Sequence, residues 1–413
     1  MTATWIQNAT VIDATGRAPR PGAHILVEEG RIVRISETAP EDTTAASVID
    51  ASGLFALPGF IDCHVHLGGE GPDLRSQLAL PESLLALRVP ARMRRTLDAG
   101  VTTVRDLGGL DGGVKEALAE GLFAGPRLQV AVRVLSITGG HADYATPPGA
   151  PLQMVSHGGF GLVADGPDAV VRAVRTVCQA GADVIKVATT GGVLSPADDP
   201  RHGHFSPAEI EAIAAEARRL GRRLAAHAQG AEGIKNAVRA GFTSIEHGIY
   251  LDDEGIELML ERGTFLVPTL VAPLAVLDAA EAGLPVPAYA IEKSRRVMDD
   301  HRENVARAYR AGVRIAFGTD SGVGPHGQNL RELGLLAALG MSPMEVIEAA
   351  TRTAAEVMGL EAEVGTLEAG KRADVVLTSV DPMTRLADLA DPANIALVMQ
   401  DGRVLKDRRP DRA

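Results

Sequence analysis

Short β-type runs open and close the chain, and a different pattern fills its middle. Up to about Leu57, apolar residues cluster in runs such as Ala23 to Val27 and Arg31 to Ile35, separated by Gly, Pro and acidic turns, with no helical periodicity. The last segment repeats this, with Ala373 to Thr378 and Ile395 to Met399 flanking loops rich in Asp and Pro. From Pro58 to about Gly359, short apolar runs alternate with amphipathic stretches, the pattern of successive βα units around a parallel sheet. Strands are expected near Phe60–His66, Val101–Leu107, Leu128–Ile137, Asp183–Thr189, Arg223–Ala228, Thr243–His247, Thr264–Thr269 and Val313–Thr319. Eight strands imply a closed (β/α)₈ TIM barrel. Pro207 to Leu220, with Ile210, Ile213, Ala214 and Ala217 on one face, fits an outer helix. Gly100, Gly181, Gly241, Gly263 and Gly312 each stand where a helix should end before a strand. The competing fold, an open doubly wound sheet, would show a Gly-rich phosphate loop after its first strand, and no such loop occurs. The expected α/β organisation is a barrel over residues 58–359 beside a small β-sandwich domain built jointly from 1–57 and 360–413.

Composition narrows the function classes. The chain has 413 residues, 46% of them hydrophobic, enough for one large core and a satellite. A net charge of -12 without Lys/Arg clusters argues against nucleic acid or an anionic membrane as partner. Cys63 and Cys178 are too few for a disulfide framework and fit core thiols in a reducing compartment. No apolar run reaches transmembrane length, and the first ten residues lack a basic and then apolar leader pattern. A cytoplasmic homo-oligomer acting on a small-molecule substrate is expected.

In a (β/α)₈ barrel the chemistry sits at the C-terminal ends of the strands, so polar residues that end apolar runs become candidates. The first strand ends in His64-Val65-His66, and a strand's period of two puts both imidazoles on one face, opposite Cys63 and Val65. Lys186 lies inside the apolar run Asp183 to Ala188, where an ammonium is costly. It could pair with a carboxylate, snorkel to the barrel mouth, or lose its proton and add carbon dioxide, becoming a carbamate able to bridge metals. Histidines at the neighbouring strand ends favour the carbamate. His227, His247 and Asp320 close the fifth, sixth and eighth strands. Imidazole and carboxylate donors suit zinc best, and manganese, cobalt and iron accept them too. Six donors exceed the roughly four that one zinc takes, so two divalent metal ions are expected.

These segments together resemble the amidohydrolase superfamily, and within it the prolidase-like and imidazolonepropionase-like branch. The resemblance covers nearly the whole chain: Leu57-Pro58-Gly59-Phe60-Ile61-Asp62-Cys63-His64-Val65-His66, the Lys186, His227, His247 and Asp320 segments, and Gly365-Thr366-Leu367-Glu368-Ala369-Gly370-Lys371-Arg372-Ala373-Asp374. It implies that His64, His66, Lys186 and Asp320 bind the more buried metal, and Lys186, His227 and His247 the more exposed one. It also implies hydrolysis of an amide-type C–N bond, with Asp320 as general base and then acid and His141 beside the substrate oxygen. Related deaminases use one metal and lack the fourth-strand lysine, and non-enzymatic barrels have lost ligands, whereas all six positions are filled here.

Substrate expectations follow from the same resemblance. A dipeptide or N-acyl amino acid is expected first, with a carbamate, phenylurea or other xenobiotic amide as the alternative. His141 ends the motif Thr138-Gly139-Gly140-His141, and the stretch Gly322 to Asn329, with His326 and Asn329, should line the far wall. Gln229 and Tyr250 complete the expected substrate contacts. Many dipeptidase-like relatives carry a tyrosine where Gln229 stands, and a glutamine lacks the reach and acidity of a phenol. The segment Thr189 to His204 is long enough for a lid, with His202 and His204 as solvated loop residues.

Overall fold

The computed structural model describes residues 3–40, 43, 46–73, 76–77, 80–144 and 160–409. Of the expected small domain, 1–2, 41–42, 44–45 and 410–413 lie outside the described residues. The N-terminal strands are β1 (Ala3–Val11), β2 (Arg20–Glu28), β3 (Arg31–Ser36), β4 (Ala46–Asp50) and β5 (Phe55–Pro58). The central strands are β6 (Phe60–Val65), β7 (Val101–Asp106), β8 (Arg127–Val130), β9 (Val134–Ser136), β10 (Gly161–Val163), β11 (Val184–Ala188), β12 (Arg223–Ala228), β13 (Ser244–His247) and β14 (Phe265–Val267). The C-terminal strands are β15 (Val375–Thr378), β16 (Ile395–Gln400) and β17 (Arg403–Asp407).

The two ends of the chain share one eight-stranded sheet, ordered β17-β16-β15-β5-β1-β2-β3, with β4 added to β1. β5 makes the join, parallel to β1 and antiparallel to β15. Alternation sends Ile25, Val27, Val375, Leu377, Leu397 and Met399 into one core, each burial worth roughly 1.5–3 kcal/mol for the larger side chains. The sheet curls over this core until its ends meet: a Cβ on Gly402 would lie 2.9 Å from the Cα of Gly30.

The central strands run parallel, β6-β7-β8 in one ladder and β9-β11-β12-β13-β14 in another. The Asp183 N–H donates to the Val130 carbonyl at 2.8 Å, linking β8 to the start of β11. Bridges Leu266–Ile315 and Val65–Ser321, with the Cys63 N–H on the Phe317 carbonyl at 3.0 Å, close the barrel. Around it lie α1 (Glu82–Asp98), α2 (Gly112–Ala119), α3 (Pro167–Gln179), α4 (Pro207–Arg219), α5 (Ala231–Arg239), α6 (Asp253–Arg262), α7 (Val271–Glu281), α8 (Ala288–Ala311) and α9 (Arg331–Ala338). α4 buries Ile210, Ile213, Ala214 and Ala217 and starts at a capping box between Ser206 and Glu209. α6 and α8 stop at Gly263 and Gly312, whose φ of +67° and +98° only glycine adopts without cost. Among the described residues, no helix is long and apolar enough to cross a membrane.

Two expected strands differ. The run Leu128–Ile137 breaks at Val132, whose φ of +67° separates β8 from β9, and β9 gains β10 as a further partner. The run Val313–Thr319 closes the barrel through a bridge and single hydrogen bonds instead of a regular ladder. Its path explains this: a Cβ on Gly318 would lie 2.4 Å from Val267 Cγ1 and 3.1 Å from His64 Cβ, so the backbone presses against both neighbours.

Candidate active site

Strand alternation aims the candidates on β11 and β12 inward. On β6 the expected alternation breaks, because the register with β7 shifts between Asp62 and Val65. Asp62 turns outward to Asn329, while His64 faces the interior. Cys63, expected on the opposite face, packs inside with Phe265 and Val267, its thiol on the Ala354 carbonyl. On β11, Val184, Lys186 and Ala188 share the inner side, and on β12 so do Ala225 and His227. β13 points Ser244 and Glu246 inward. His247 would then face outward, but its φ of +73° ends the alternation and its imidazole joins the cavity wall. Asp320 is likewise left-handed, with φ +58°, and its N–H donates to the His64 carbonyl at 2.7 Å. Such backbone strain in non-glycine residues is concentrated where geometry is needed.

His64, His66, His141, Lys186, His227, Gln229, His247 and Asp320 all line one cavity of about 370 Å³. Donor atoms of His64, His247 and Asp320 lie within 4.8 Å of one another, a candidate site for a divalent metal. Lys186 Nζ is 3.4 Å from His64 Nε2, and Asp320 Oδ1 is 3.5 Å from His64 Nε2 and 3.2 Å from His66 Nε2. Two imidazoles have Nδ1 engaged by an acceptor, His64 with Glu246 Oε2 at 3.0 Å and His66 with the Gly108 carbonyl at 2.9 Å, and His247 Nδ1 lies 2.7 Å from Thr269 Oγ1, a hydroxyl that can accept or donate. A proton held on Nδ1 leaves Nε2 as a lone pair, which is what a metal requires. His227 differs, because its Nε2 is 3.1 Å from the Gly191 carbonyl.

Burial dominates the electrostatics. It pushes Lys186 down to about 8 and His247 to about 3, and it holds His64 and His227 well below the usual imidazole range. Lys186 is 2% exposed, so it does not snorkel, and it has no carboxylate at ion-pair distance among the described residues. Burial would raise Asp320, but His64 and His66 outweigh it and keep the carboxyl well below its ordinary range.

The segment after β11 folds against the site. His141 Nδ1 is 2.8 Å from Ser195 Oγ, and the His141 and His227 rings stack at 4.0 Å. Lys293 of α8 donates to the carbonyls of Gly192, Ser195 and Asp198, which ties the segment down. His204 is buried, not solvated, with its N–H on the Thr189 carbonyl, while His202 is exposed as expected.

Three expected substrate contacts sit elsewhere. Asn329 is fully buried and donates to Asp62 Oδ2 at 2.7 Å, so it serves the scaffold behind β6. His326 is held by the Gly69 carbonyl at 2.8 Å, and Tyr250 lies near Arg201; neither is on the cavity wall. The long turn after Asp320 folds back over β6, which carries Asn329 and His326 away from the mouth. Sequence reasoning passed over Glu246, whose carboxylate accepts from Ser244 at 2.5 Å and Arg105 at 2.9 Å and orients His64. A charged residue inside the apolar run Thr243 to His247 carried the same signal as Lys186.

Comparison with known proteins agrees with this geometry. The model of the amidohydrolase family matches residues 55–405. The chain is 35% identical to ochratoxinase of Aspergillus niger over 370 residues, covering 85% of this chain and 75% of that one. It is 28% identical to imidazolonepropionase of Acidiphilium cryptum, covering 95% of each. A prolidase solved with N-methylphosphonate-L-proline superposes with a TM-score of 0.93 at 34% identity, over 98% of this chain and 100% of that one. With its inward histidines, buried lysine and matched length, the chain belongs to the amidohydrolase family and is a metal-dependent hydrolase acting on carbon–nitrogen bonds.

Proposed function

We propose a binuclear amidohydrolase that cleaves dipeptides or N-acyl amino acids carrying a bulky apolar group. The carrying observation is Lys186: buried, beside His64 Nε2, and without an ion-pair partner among the described residues. Carbon dioxide added to its neutral amine gives a carbamate with two oxygens for two ions. His64, His66, Lys186 and Asp320 would hold one ion, and Lys186, His227 and His247 the other, with zinc best suited to these donors. To hold an ion through Nε2, His227 would have to leave the Gly191 carbonyl, 3.1 Å away. When bound, the two ions supply an acidified water as nucleophile and a Lewis acid for the substrate carbonyl. Asp320, which the positive field of the bound ions would keep ionised, would take the proton of the attacking water and return it to the leaving nitrogen. His141 meets the substrate from the third strand.

Leu85, Val89, Leu110, Phe160, Val276 and Val323 make much of the cavity wall apolar, the usual character of a small-molecule site. Among the described residues, Lys186 is the only Lys or Arg on that wall, which favours a second reading, an uncharged amide, carbamate or phenylurea lacking a free carboxylate. Elemental analysis should find about two divalent ions per chain, because six donors exceed one ion's usual set. A matched panel of dipeptides, N-acyl amino acids and carbamates then separates the two readings. Full activity with a single ion bound would sink the binuclear proposal.

A further inference from the structure

A thin partition divides the cavity from a smaller hollow. The hollow, about 10 Å³ and so room for one water, lies among Asp73, Ser195, Pro196, Pro287 and Tyr289. Among the described residues, His141, Tyr144 and Leu194 border both spaces. Of these three, His141 stacks on His227, and Tyr144 packs edge-on against Phe160 at 5.6 Å in a cluster with Val134, Ala142 and Ala188. Leu194 is the purely apolar member, and it packs against the buried cluster of Val276, Ala290 and Val323. More than packing fixes its backbone. The Leu194 carbonyl accepts from Tyr289 Oη at 3.2 Å. Lys293 Nζ donates to the carbonyls of Gly192, Ser195 and Asp198 at 2.9, 2.7 and 2.6 Å, one for each proton of an ammonium. Asp198 Oδ1 accepts from Ser195 Oγ at 2.5 Å and from the Gly192 N–H at 3.3 Å, which closes the turn that carries Leu194. At the base of the turn, Thr190 and Gly203 pair as an antiparallel bridge. A turn held at its flank, its middle and its base stands as a wall.

We infer that Leu194 is the end stop of one arm of the substrate cavity, setting the longest unbranched apolar group that the enzyme accepts, and that Tyr289 and Lys293 are positioning residues that keep it in place. From the proposed function the inference takes only that this cavity holds the substrate. Each methylene that a bound chain buries along Val276 and Val323, which line the cavity beside Leu194, gains roughly fourfold in affinity. The gain ends where the chain meets a close-packed wall, since one methylene too many must force side chains off their places. Truncating Leu194 to alanine would join the cavity to the hollow behind it, so longer chains would pass.

Linear alkyl hydroxamic acids of increasing length, whose head group chelates a divalent ion, test it through dissociation constants measured by calorimetry on the metal-loaded enzyme. In the wild type, affinity should rise roughly fourfold per methylene and then stop rising at one chain length. In Leu194→Ala the stop should move outward by at least about two methylenes, whereas in Leu194→Met, close to leucine in volume, it should stay. Lys293→Met, which removes the donors that hold the turn, should spread the stop over several lengths with Leu194 still present. Reading the stop within each enzyme separates it from general damage to the fold, which weakens every member of the series alike. A flat series, a series with no stop, or an unmoved stop in Leu194→Ala overturns the inference, and a sharp, unmoved stop in Lys293→Met overturns the positioning role of Lys293 alone. Turnover is read in parallel on N-acyl-phenylalanines with linear acyl chains and on N-acetyl amino acids with linear side chains. The limit in kcat/KM should move outward in Leu194→Ala for the series whose chain enters this arm. If the hydroxamate stop moves but neither series is hydrolysed, the amide-hydrolase reading fails and the wall stands. If both series are hydrolysed and the limit moves in neither, Leu194 has no part in substrate selection.

Discussion

His64 Nδ1 lies 3.0 Å from Glu246 Oε2, and both side chains are almost wholly shut from solvent. The same carboxylate accepts from Arg105 at 2.9 Å, so one buried anion orients an imidazole and balances a buried guanidinium. Glu246→Gln keeps the shape but weakens the hold on His64. Metal affinity should fall about 10- to 100-fold, the usual effect of losing the partner behind a liganding histidine, measured by competition with a chromogenic chelator. Glu246→Ala should in addition destabilise the fold by about 3–5 kcal/mol, because Arg105 is left buried and unpaired, and thermal denaturation reads that loss. Wild-type affinity in both variants would remove Glu246 from the site.

Glu332 gives the fold a pH dependence of definite sign. Its fully buried carboxylate accepts the Leu270 and Val271 N–H groups at 2.8 Å each, at the start of α7 just beyond the Thr269 that holds His247. Burial lifts the carboxyl from 4.5 to about 8, although both N–H groups pull it down. The folded state therefore binds this proton more tightly than the unfolded one, a contribution complete below the unfolded value and lost as pH rises through the folded one. Between about pH 5 and 8 the wild-type enzyme should lose stability relative to Glu332→Gln, on the order of 1–3 kcal/mol by linkage. Melting curves of the pair at both ends of that window check it, and a constant difference would place the titration elsewhere.

What the sequence made legible follows physical locality. Strand ends were readable because an apolar run closing on His227 or Asp320 is a local pattern, and alternation put His64 and His66 together, although the register shift on β6 also brought Cys63 inside. The break at Val132 was hidden, since a left-handed valine is imposed by packing and leaves no mark in composition. Asn329 and His326 were misplaced for a related reason: the turn after Asp320 runs back toward Asp62 and Gly69, a long-range path that polarity does not encode. Ser195, Asp198 and Lys293 form one cluster from segments about a hundred residues apart, so nothing in either segment announces it.

Lys186→Ala should abolish turnover. The proposed bridge is an oxygen anion grown on the amine, so removing the amine removes both oxygens at once. A short carboxylate such as propionate, added to the variant, offers two oxygens in the space left behind and should restore part of the rate, whereas propylamine should not. The comparison isolates the anion from the cation. Near-normal turnover in Lys186→Ala, or rescue by the amine alone, would show that Lys186 acts as an ammonium.

Asp320 carries the proton transfers in this scheme, and its surroundings fit the task. Hydrolysis must take a proton from the attacking water and deliver one to an amine that is otherwise a very poor leaving group. Asp320 Oδ1 lies 3.2 Å from His66 Nε2 and 3.5 Å from His64 Nε2, so a divalent ion held among these donors would keep the carboxylate ionised and ready to accept. His141 is the rival. Burial pushes it down to about 4, so near neutrality little of it carries the second proton that a general acid would give. Asp320→Asn is nearly isosteric and keeps an oxygen toward the metals, but it cannot shuttle a proton. It should retain much of its metal while kcat falls at least about a hundredfold, the lower end of general acid–base contributions. His141→Ala should mainly raise KM, with a smaller effect on kcat, because what it removes is a contact made to bound substrate. Metal content and steady-state kinetics on the two variants decide between them: an active Asp320→Asn enzyme beside a metal-replete but inactive His141→Ala enzyme would transfer the proton transfers to His141.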